Sequence, residues 1–429
     1  MDGAAERPVV GLFGAFDTGE LGEVALRRVL EWELARRRPD ITLMALAPFG
    51  AERPVPGDEG CPALPLTRMS GADPVALDAI LIAGDVLGDD HQWAVRYPVA
   101  DEAMTERGVG SLVLSGRLRE RDAAKSVTWF GVGLAGDDVD LTALGGSDVW
   151  ARDQATQQHI GGTSAQSGDP LLMARRIFQS EVLRKRVDLL RLCGAVPAGR
   201  RIVVEVAPSL PASASCERLV EAVSAALRAD PKLSVVVVDL KPARQPNTVE
   251  TFRVPGLLAE RVHRLPVWAG LDDIAAAMSG SAAMIATSPA AAHIAASLGV
   301  PVAAVDTGIG EPFDPSIPVL AADVSAMQGF LGNGQSASID AAMQTLDGAL
   351  AELAERLPRS AGSLRPSVDP ERIDSALSVL QRRLADERTA LQAELSRVQS
   401  ELDHLRESPE HRITRPIREG YQRWQRRRT

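Results

Sequence analysis

The stretch 9–34 contains a glycine-rich turn, residues 11–23, whose residue types could bind a ligand. A short apolar run leads into four glycines and then into a helical pattern, and turns of this kind usually hold a phosphate between a strand and a helix. The turn also carries three acidic residues and no basic one. The glycines are Gly11, Gly14, Gly19 and Gly22, and the acidic residues are Asp17, Glu20 and Glu23.

Two phosphate-binding motifs do not fit the spacing of this turn. A nucleoside-triphosphate loop needs a Lys directly after its second glycine, and here Glu20 follows Gly19, which inverts the charge. A dinucleotide fingerprint needs the order GxGxxG, whereas Gly11 and Gly14 are three residues apart. Glu20 would itself complement the positive end of the following helix and repel a second anion. A neutral sugar therefore suits this turn better than a phosphate does.

The alternation of short apolar runs with amphipathic patterns predicts the elements that position the turn. Strand–helix–strand successions predict parallel sheets with right-handed crossovers, which bind ligands at the carboxyl ends of their strands. The strands fall into two groups separated by a basic helical segment at 171–192, so we expect an α/β fold of two Rossmann-like lobes facing a cleft. The predicted strands are 9–13, 41–45, 79–82, 111–114, 127–131, 148–151, 202–206, 233–239, 261–264, 283–286 and 302–305, and the predicted helices include 22–37, 215–229, 271–278 and 290–298.

Composition limits the classes of function. The net charge of −10 argues against nonspecific nucleic-acid binding by the body of the protein. Three widely spaced cysteines, without a CxxC pair, suggest reduced thiols and give no sign of a zinc site, and we expect no metal and no cofactor. Because no apolar run approaches the roughly 18 residues of a membrane span, we expect a cytoplasmic protein, attached at most to the inner face of the membrane.

The character of the chain changes near residue 369. Apolar residues three or four apart, with Glu, Gln and Arg on the other faces, predict a coiled coil at 369–407 that would join copies of the chain; one helix packed on the C-terminal lobe is the alternative. The tail 408–429 has seven Arg against two Glu and places Tyr421 and Trp424 on one face, which suits an anionic membrane surface, a partner helix or a solvated tail. The expected domains are an N-terminal lobe at 1–168, a linker helix at 169–198 and a C-terminal lobe with a trailing helix at 199–368, followed by these two segments.

The N-terminal run, compared as a whole, resembles the start of polysaccharide pyruvyl transferases. The family pattern is a strand, then G-x-F-D-x-x-N-x-G-D, then a helix, and here Gly14, Phe16, Asp17 and Gly22 match it without a gap. The Asn of the pattern is replaced by Glu20, and its last Asp is replaced by the Glu that follows Gly22.

Downstream motifs extend the resemblance in the same order over about 330 residues. The family has a glycine-rich turn after a strand, of which Gly84 survives here, followed by Asp85. Its V-R-D-x-x-S motif is similar to the segment in which Arg152, Asp153 and Thr156 occupy the matching positions. The stretch 168–170 resembles the one that closes the first lobe.

The second lobe matches less closely. The family usually carries a His eleven residues before the Pro of its GVP stretch, and here Ala290 stands at that distance from Pro301. His293 lies eight residues before Pro301, a spacing similar to that of heptosyltransferase-like glycosyltransferases, which also have two Rossmann lobes. The helix that begins near Ala290 would aim the backbone N–H groups of 287–291 into the cleft.

The resemblance implies a glycosyltransferase-B-like fold and the transfer of a pyruvyl ketal from phosphoenolpyruvate to a glycan or glycolipid. Arg152 would hold a carboxylate or phosphate and His293 would supply a proton; their structural alternatives are an ion pair with Asp153 and a buried core histidine. Asp17 and Glu23 would bind the acceptor or, alternatively, cap the helix. The residues expected to bind substrate are Gly14, Asp17, Gly19, Gly22, Glu23, Gly84, Asp85, Thr287, Ser288 and Gly299.

Two other functions stay open on the sequence. His293 and its spacing would also suit a nucleotide-sugar glycosyltransferase. The loss of the GGG turn and of the family His would also suit an inactive homologue that organises glycan synthesis through its coiled coil and basic tail.

Overall fold

The chain divides into two compact units, residues 1–360 and 361–429. In the computed structural model on which the description rests, the second unit lies outside the described residues, and so do the predicted coiled coil, the basic tail and the strand expected at 111–114. The described residues are 7–18, 20–47, 63–65, 77–87, 126–134, 144, 147–162, 164–206, 214–240, 252–266, 269–305, 313, 315–320, 324–333 and 338–359.

The N-terminal lobe is built on a parallel sheet in the order β3-β2-β1-β4-β5-β6-β7. Helix α1 (Leu21–Arg37) follows the first strand, and the short helix α2 (Gln154–Ile160) follows the sixth. The strands are β1 (Val9–Phe13), β2 (Thr42–Ala47), β3 (Leu64–Pro65), β4 (Ala79–Leu87), β5 (Ser126–Leu134), β6 (Asp148–Ala151) and β7 (Ala165–Gln166).

The C-terminal lobe repeats this topology with the order β10-β9-β8-β11-β12-β13, again with every pair parallel. Its strands are β8 (Arg201–Glu205), β9 (Ser234–Val238), β10 (Val262–Arg264), β11 (Ala283–Ala286), β12 (Val302–Val305) and β13 (Val319–Leu320). The linker helix α3 (Ser180–Leu192) precedes this lobe, and its remaining helices are α4 (Ala214–Ala229), α5 (Leu271–Met278), α6 (Pro289–Ser297), α7 (Val324–Asn333) and α8 (Asp340–Arg356). In the part of the chain described, no helix is both long and apolar enough to cross a membrane.

The predicted fold class, two Rossmann-like lobes with parallel sheets, is confirmed. Central strands such as β8 and β11 are buried along their whole length, which is why they read as continuous apolar runs in the sequence. Half of the strand ends coincide with the predicted ones, and most of the others differ by one or two residues; β4 and β5 run five and three residues further at their carboxyl ends. The edge strands β3, β7 and β13 were not predicted, because two residues carry no recognisable alternation.

The linker is two helices rather than the single one predicted for 169–198. A 3₁₀ helix runs from Pro170 to Arg176, with the Asp169 carboxylate capping its N-terminus, and α3 begins only at Ser180. Phe178 lies between them with 5% of its surface exposed, so the chain bends where this ring enters the core. The buried face of α3 consists of Leu183, Val187 and Leu190.

The last helix, α8, crosses back to the N-terminal lobe, whereas the domain boundaries drawn from the sequence group it with the C-terminal one. Arg38 at the end of α1 donates to the carbonyl oxygens of Ala354, Leu357 and Pro358. Arg356 forms an ion pair with Asp148 at the start of β6, at 2.9 Å. These contacts fasten the end of the first compact unit to the lobe in which it begins.

A buried ionic cluster joins α1, the linker and α8. Glu33 is fully buried, and its carboxylate accepts from Arg37 of its own helix and from Arg176 of the linker, the latter at 2.7 Å. Asp347 of α8 accepts from the same two arginines. Burial would raise the pKa of Glu33, but its arginine partners, which also include Arg36, more than offset this and lower the pKa below its ordinary value of 4.5.

We expect Glu33→Gln to destabilise the protein by about 2 kcal/mol, because the partly exposed Arg37 and Arg176 lose a fully buried carboxylate partner. A carboxylate with a lowered pKa contributes stability above its unfolded value, and that contribution is lost as the pH falls. Urea unfolding should therefore show a wild-type free energy of unfolding that declines below about pH 4.5, with a shallower decline in the variant. Glu181→Gln is the control, since its exposed pair with Lys185 should contribute 0.5 kcal/mol or less. Equal losses in the two variants would contradict the role of the cluster.

Candidate functional site

Each sheet reverses its strand order at one point, and these two points define the candidate site. The reversal lies between β1 and β4 in the first lobe and between β8 and β11 in the second. In open parallel sheets, ligands bind in the crevice outside the carboxyl ends of the two strands at such a reversal. The glycine-rich turn follows β1, Gly84 lies in the second half of β4, Glu205 ends β8, and Thr287 follows β11.

The glycine-rich turn is folded tightly on itself. The Thr18 hydroxyl donates to the Ala15 carbonyl oxygen at 2.8 Å and accepts from the Glu20 N–H at 3.3 Å. A Cβ at Gly14 would lie 2.5 Å from the ring of Phe16, which is buried, so a larger residue would displace this ring. The turn thus lies against the sheet, with Asp17 half-buried at its edge. Gly19 is outside the described residues.

Glu23 points back toward β4. Its two carboxylate oxygens lie 2.7 and 3.2 Å from the position that a Cβ at Gly84 would take, and Glu23 is 6% exposed. Gly84 has a φ of +87°, a conformation that L side chains rarely adopt, and the β4–β5 pairing shifts register beside it. Gly84 is therefore required both by its backbone conformation and by the approach of Glu23.

The N-terminus of α1 meets the second lobe. The Leu21 N–H donates to the Leu240 carbonyl oxygen, just after β9, at 2.7 Å. A Cβ at Gly22 would lie 2.8 Å from the Cβ of Ala290 in α6. Glu20 is the N-cap residue, but its side chain makes no capping hydrogen bond. The two cleft turns singled out in the sequence therefore lie against each other, with Gly22 allowing the close approach.

Backbone N–H groups at the start of α6 are occupied by a carboxylate of the protein itself. Glu205, 1% exposed, accepts from the N–H groups of Thr287 and Ser288, each at 2.8 Å, and from the Ser288 hydroxyl at 2.6 Å. Burial raises the pKa of Glu205, and nearby Asp239 adds to this effect, while the three donors lower it in part. An external anion would have to displace Glu205 to reach these donors.

The Arg-Asp-x-x-Thr motif forms a helix cap. Asp153 is the N-cap residue of α2 and accepts from the N–H of Thr156 at 2.7 Å and from its hydroxyl at 3.0 Å. Arg152, just before the cap, is 8% exposed, and its Nε lies 3.7 Å from Asp153 and 3.9 Å from Asp169. The motif spacing is therefore set by the cap, which leaves Arg152 at the lobe junction.

Asp169 connects Arg152 to His293. The Asp169 Oδ2 atom lies 2.8 Å from His293 Nδ1, and both residues are at least 97% buried. Burial would raise the pKa of Asp169, but His293 and Arg152 more than offset this, so its pKa is lowered and the group is ionised. An ionised carboxylate only accepts, so Nδ1 carries the proton and the other ring nitrogen, Nε2, is left to exchange one. Among the described residues, Nε2 is buried and has no hydrogen-bond partner.

The structure brings together most of the described residues that the sequence singled out. Gly22 lies against Ala290 of α6, Thr287 and Ser288 form the turn before this helix, and His293 follows one and a half turns later, while Glu23 lies against Gly84. Gly299 does not join them, because it lies exposed at the opposite end of α6, where its φ of +73° ends the helix. The backbone of Asp85 continues β4.

Two residues of the site were missed in the sequence, Asp169 and Glu205. Asp169 belongs to the 168–170 stretch, and an Asp before Pro is a signal for the start of a helix. The cap uses one carboxylate oxygen, so the sequence could have suggested that the other is available for a second partner. Glu205 ends a run of apolar residues, and a charge at the end of a buried strand is the signal that could have identified it.

Comparison with known proteins shows the fold and no family. No protein-family model matches the sequence, and no curated protein matches it. UDP-GlcNAc 2-epimerase from Methanocaldococcus jannaschii, solved in complex with UDP-GlcNAc and UDP, is similar in structure, with a TM-score of 0.50, 10% identity, and 81% of this chain and 99% of that chain covered. UDP-GlcNAc 2-epimerase from Neisseria meningitidis is less similar, with a TM-score of 0.45, 10% identity, and 81% of this chain and 98% of that chain covered. ADP-heptose heptosyltransferase II from E. coli has a TM-score of 0.38 and 14% identity, with 81% of this chain and 100% of that chain covered.

We expect Gly22→Ala to destabilise the protein by about 1–3 kcal/mol, because the new methyl group would press on Ala290 and separate α1 from α6. Gly348→Ala is the matched control: it also lies in a helix, and nothing lies within 4 Å of its Cβ position. That change should be neutral or stabilising by up to about 1 kcal/mol. Chemical unfolding of the three proteins measures the difference, and a Gly22 variant as stable as the control would show that the lobes do not meet here.

Proposed function

We propose that this protein is an enzyme of glycan metabolism that binds its substrates between the two lobes and uses His293 to move a proton. The observation that carries this proposal is the His293–Asp169 contact of 2.8 Å, with Nε2 buried and unpartnered among the described residues. A buried polar atom without a partner is costly and is often retained for catalysis.

Asp169 would act on His293 as a positioning residue. Its ionised carboxylate fixes the tautomer with the proton on Nδ1 and stabilises the imidazolium, so Nε2 can accept a proton or return one. Arg152, 3.9 Å from the same Asp169 oxygen, helps to keep that carboxylate ionised at the junction of the lobes. The substrate group that exchanges this proton with Nε2 would be a sugar hydroxyl, the leaving group or the group to which the hydroxyl adds.

The finer proposal, which rests on the resemblance to polysaccharide pyruvyl transferases, is transfer of a pyruvyl ketal from phosphoenolpyruvate to a glycan or glycolipid in the cytoplasm. A proton added to the methylene carbon of the enol phosphate makes the neighbouring carbon electrophilic. One sugar hydroxyl adds to that carbon, phosphate leaves, and a second hydroxyl closes the ketal, while one hydroxyl proton returns to His293 and the other leaves with the phosphate. His293 would donate that proton and Arg152 would attract the substrate carboxylate.

A second candidate is an enzyme acting on a nucleotide sugar. It is favoured by the spacing of His293 before Pro301 and by the fold shared with the Methanocaldococcus enzyme, which was solved with UDP-GlcNAc and UDP. Titration calorimetry separates the candidates, since binding of phosphoenolpyruvate without UDP favours pyruvyl transfer and the reverse favours the nucleotide sugar. If neither ligand binds and removal of residues 370–429 abolishes the cellular role, a scaffold function replaces both.

We expect His293→Asn to lower kcat by about 10²- to 10⁴-fold, because the proton donor is lost. The assay is phosphate release from phosphoenolpyruvate with a series of candidate glycolipids. Asp169→Asn should lower kcat less and shift the pH–rate profile toward lower pH, since the imidazolium loses its neighbouring charge.

His159→Gln is the control for the histidine change, because His159 lies exposed at the end of α2. It should leave kcat and KM unchanged. Full activity of His293→Asn in a folded protein would exclude the proposed proton transfer. If Asp169→Asn lowers the activity but leaves the pH–rate profile unshifted, the role of Asp169 is structural only.

A further inference from the structure

Glu205 is a buried titratable group that the proton transfer does not use. Both of its carboxylate oxygens are engaged: Oε2 accepts the N–H groups of Thr287 and Ser288, and Oε1 accepts the Ser288 hydroxyl. The Thr287 hydroxyl adds a longer contact of 3.3 Å to Oε2. Glu205 reaches this place from the neighbouring strand, because β8 pairs directly with β11.

The place that Glu205 fills is one where parallel-sheet proteins commonly hold a phosphate. The first N–H groups of a helix carry partial positive charge and have no partner within the helix. At a strand-order reversal they face the ligand crevice. In this protein a carboxylate with two oxygens, the same kind of acceptor as a phosphate edge, is already fixed on them by four contacts from 2.6 to 3.3 Å.

The first N–H group of the opposing helix is also occupied. The first N–H of α1, that of Leu21, is taken by the Leu240 carbonyl oxygen, and Gly22 lies against Ala290. Two further buried carboxylates belong to this region, since Asp239 is close enough to Glu205 to raise its pKa, and Glu23 follows Gly22 on α1. An incoming anion would meet occupied donors and further carboxylates.

We propose that Glu205 determines specificity by closing the N-terminus of α6 to phosphate and carboxylate groups. A ligand at this point of the cleft then presents neutral hydroxyl or amide groups, as an acceptor sugar does, and the anionic part of any donor binds elsewhere. The choice of a sugar rests on the proposed function, whereas the exclusion of anions rests on Glu205 alone.

The test is to remove the carboxylate and measure binding of inorganic phosphate by calorimetry at constant ionic strength. Glu205→Ala should bind phosphate at least about tenfold more tightly than the wild type, since two N–H groups and the Ser288 hydroxyl become available to a charged acceptor. Glu205→Gln should remain like the wild type, because the amide still fills the site. Glu217→Ala, an exposed change on α4 of the same lobe, controls for the altered net charge.

Amide NMR locates the bound phosphate, with shifts expected at Thr287 and Ser288 in Glu205→Ala only. If Glu205→Ala is too unstable in chloride buffer, its melting temperature in phosphate is compared with that of Glu205→Ser, and stabilisation by phosphate of either variant supports the proposal. The proposal is overturned if phosphate binds equally to the wild type, Glu205→Ala and Glu205→Ser. It is also overturned if phosphate shifts the amide signals of Thr287 and Ser288 in the wild type. Because no glycan or turnover is involved, failure of the proposed enzymatic activity leaves this result unaffected.

Discussion

Pairing of buried charge at the junction of the lobes is the constraint on which the rest of the structure depends. Helix α1 packs on the first sheet, the linker and α8, and carries Glu23 and Glu33 into the interior, each at most 6% exposed. Such groups are tolerated only where donors or cations meet them. Glu33 is met by arginines from α1 and the linker, and Asp347 of α8 accepts from the same arginines. The return of α8 to the first lobe thus adds a second carboxylate to a cluster that has more arginines than Glu33 alone can balance.

The same constraint shapes the candidate site. Asp169 is held by Arg152 and His293, and Glu205 is held by the turn before α6, so each buried carboxylate links elements that are distant in sequence. Asp169 leaves one imidazole nitrogen without a partner among the described residues, which is an arrangement suited to proton transfer. Glu205 accepts from the N–H groups of Thr287 and Ser288 and from the Ser288 hydroxyl, which is an arrangement suited to excluding an external anion. From Ser288 to His293 the helix rises about 7.5 Å, so the two arrangements are separate positions in one cleft.

The lobes could be predicted from the sequence because their strands are buried on both faces and are separated by helices of regular period. Arg152 and His293 could be selected from motif position and residue chemistry. Their meeting could not, since it is mediated by Asp169 across 124 residues of chain and depends on the packing of the linker against α6. The expectation that the 287–291 N–H groups are aimed into the cleft follows from the turn taken alone. It took no account of the neighbouring strand, whose last residue supplies the acceptor for two of them.

The glycine-rich turn illustrates why local sequence motifs predicted only part of the site. Its glycines serve close packing: Gly14 admits Phe16, and Gly22 admits Ala290 of the other lobe. Its acids are directed inward, with Glu23 against Gly84. A phosphate loop requires open N–H groups and a cation. In this turn the first helical N–H, that of Leu21, instead donates to the carbonyl oxygen of Leu240. What remains at this edge is a half-buried Asp17 beside a helix end whose first N–H is already bonded, so the described part of the turn offers neither that open N–H group nor the cation of a phosphate loop.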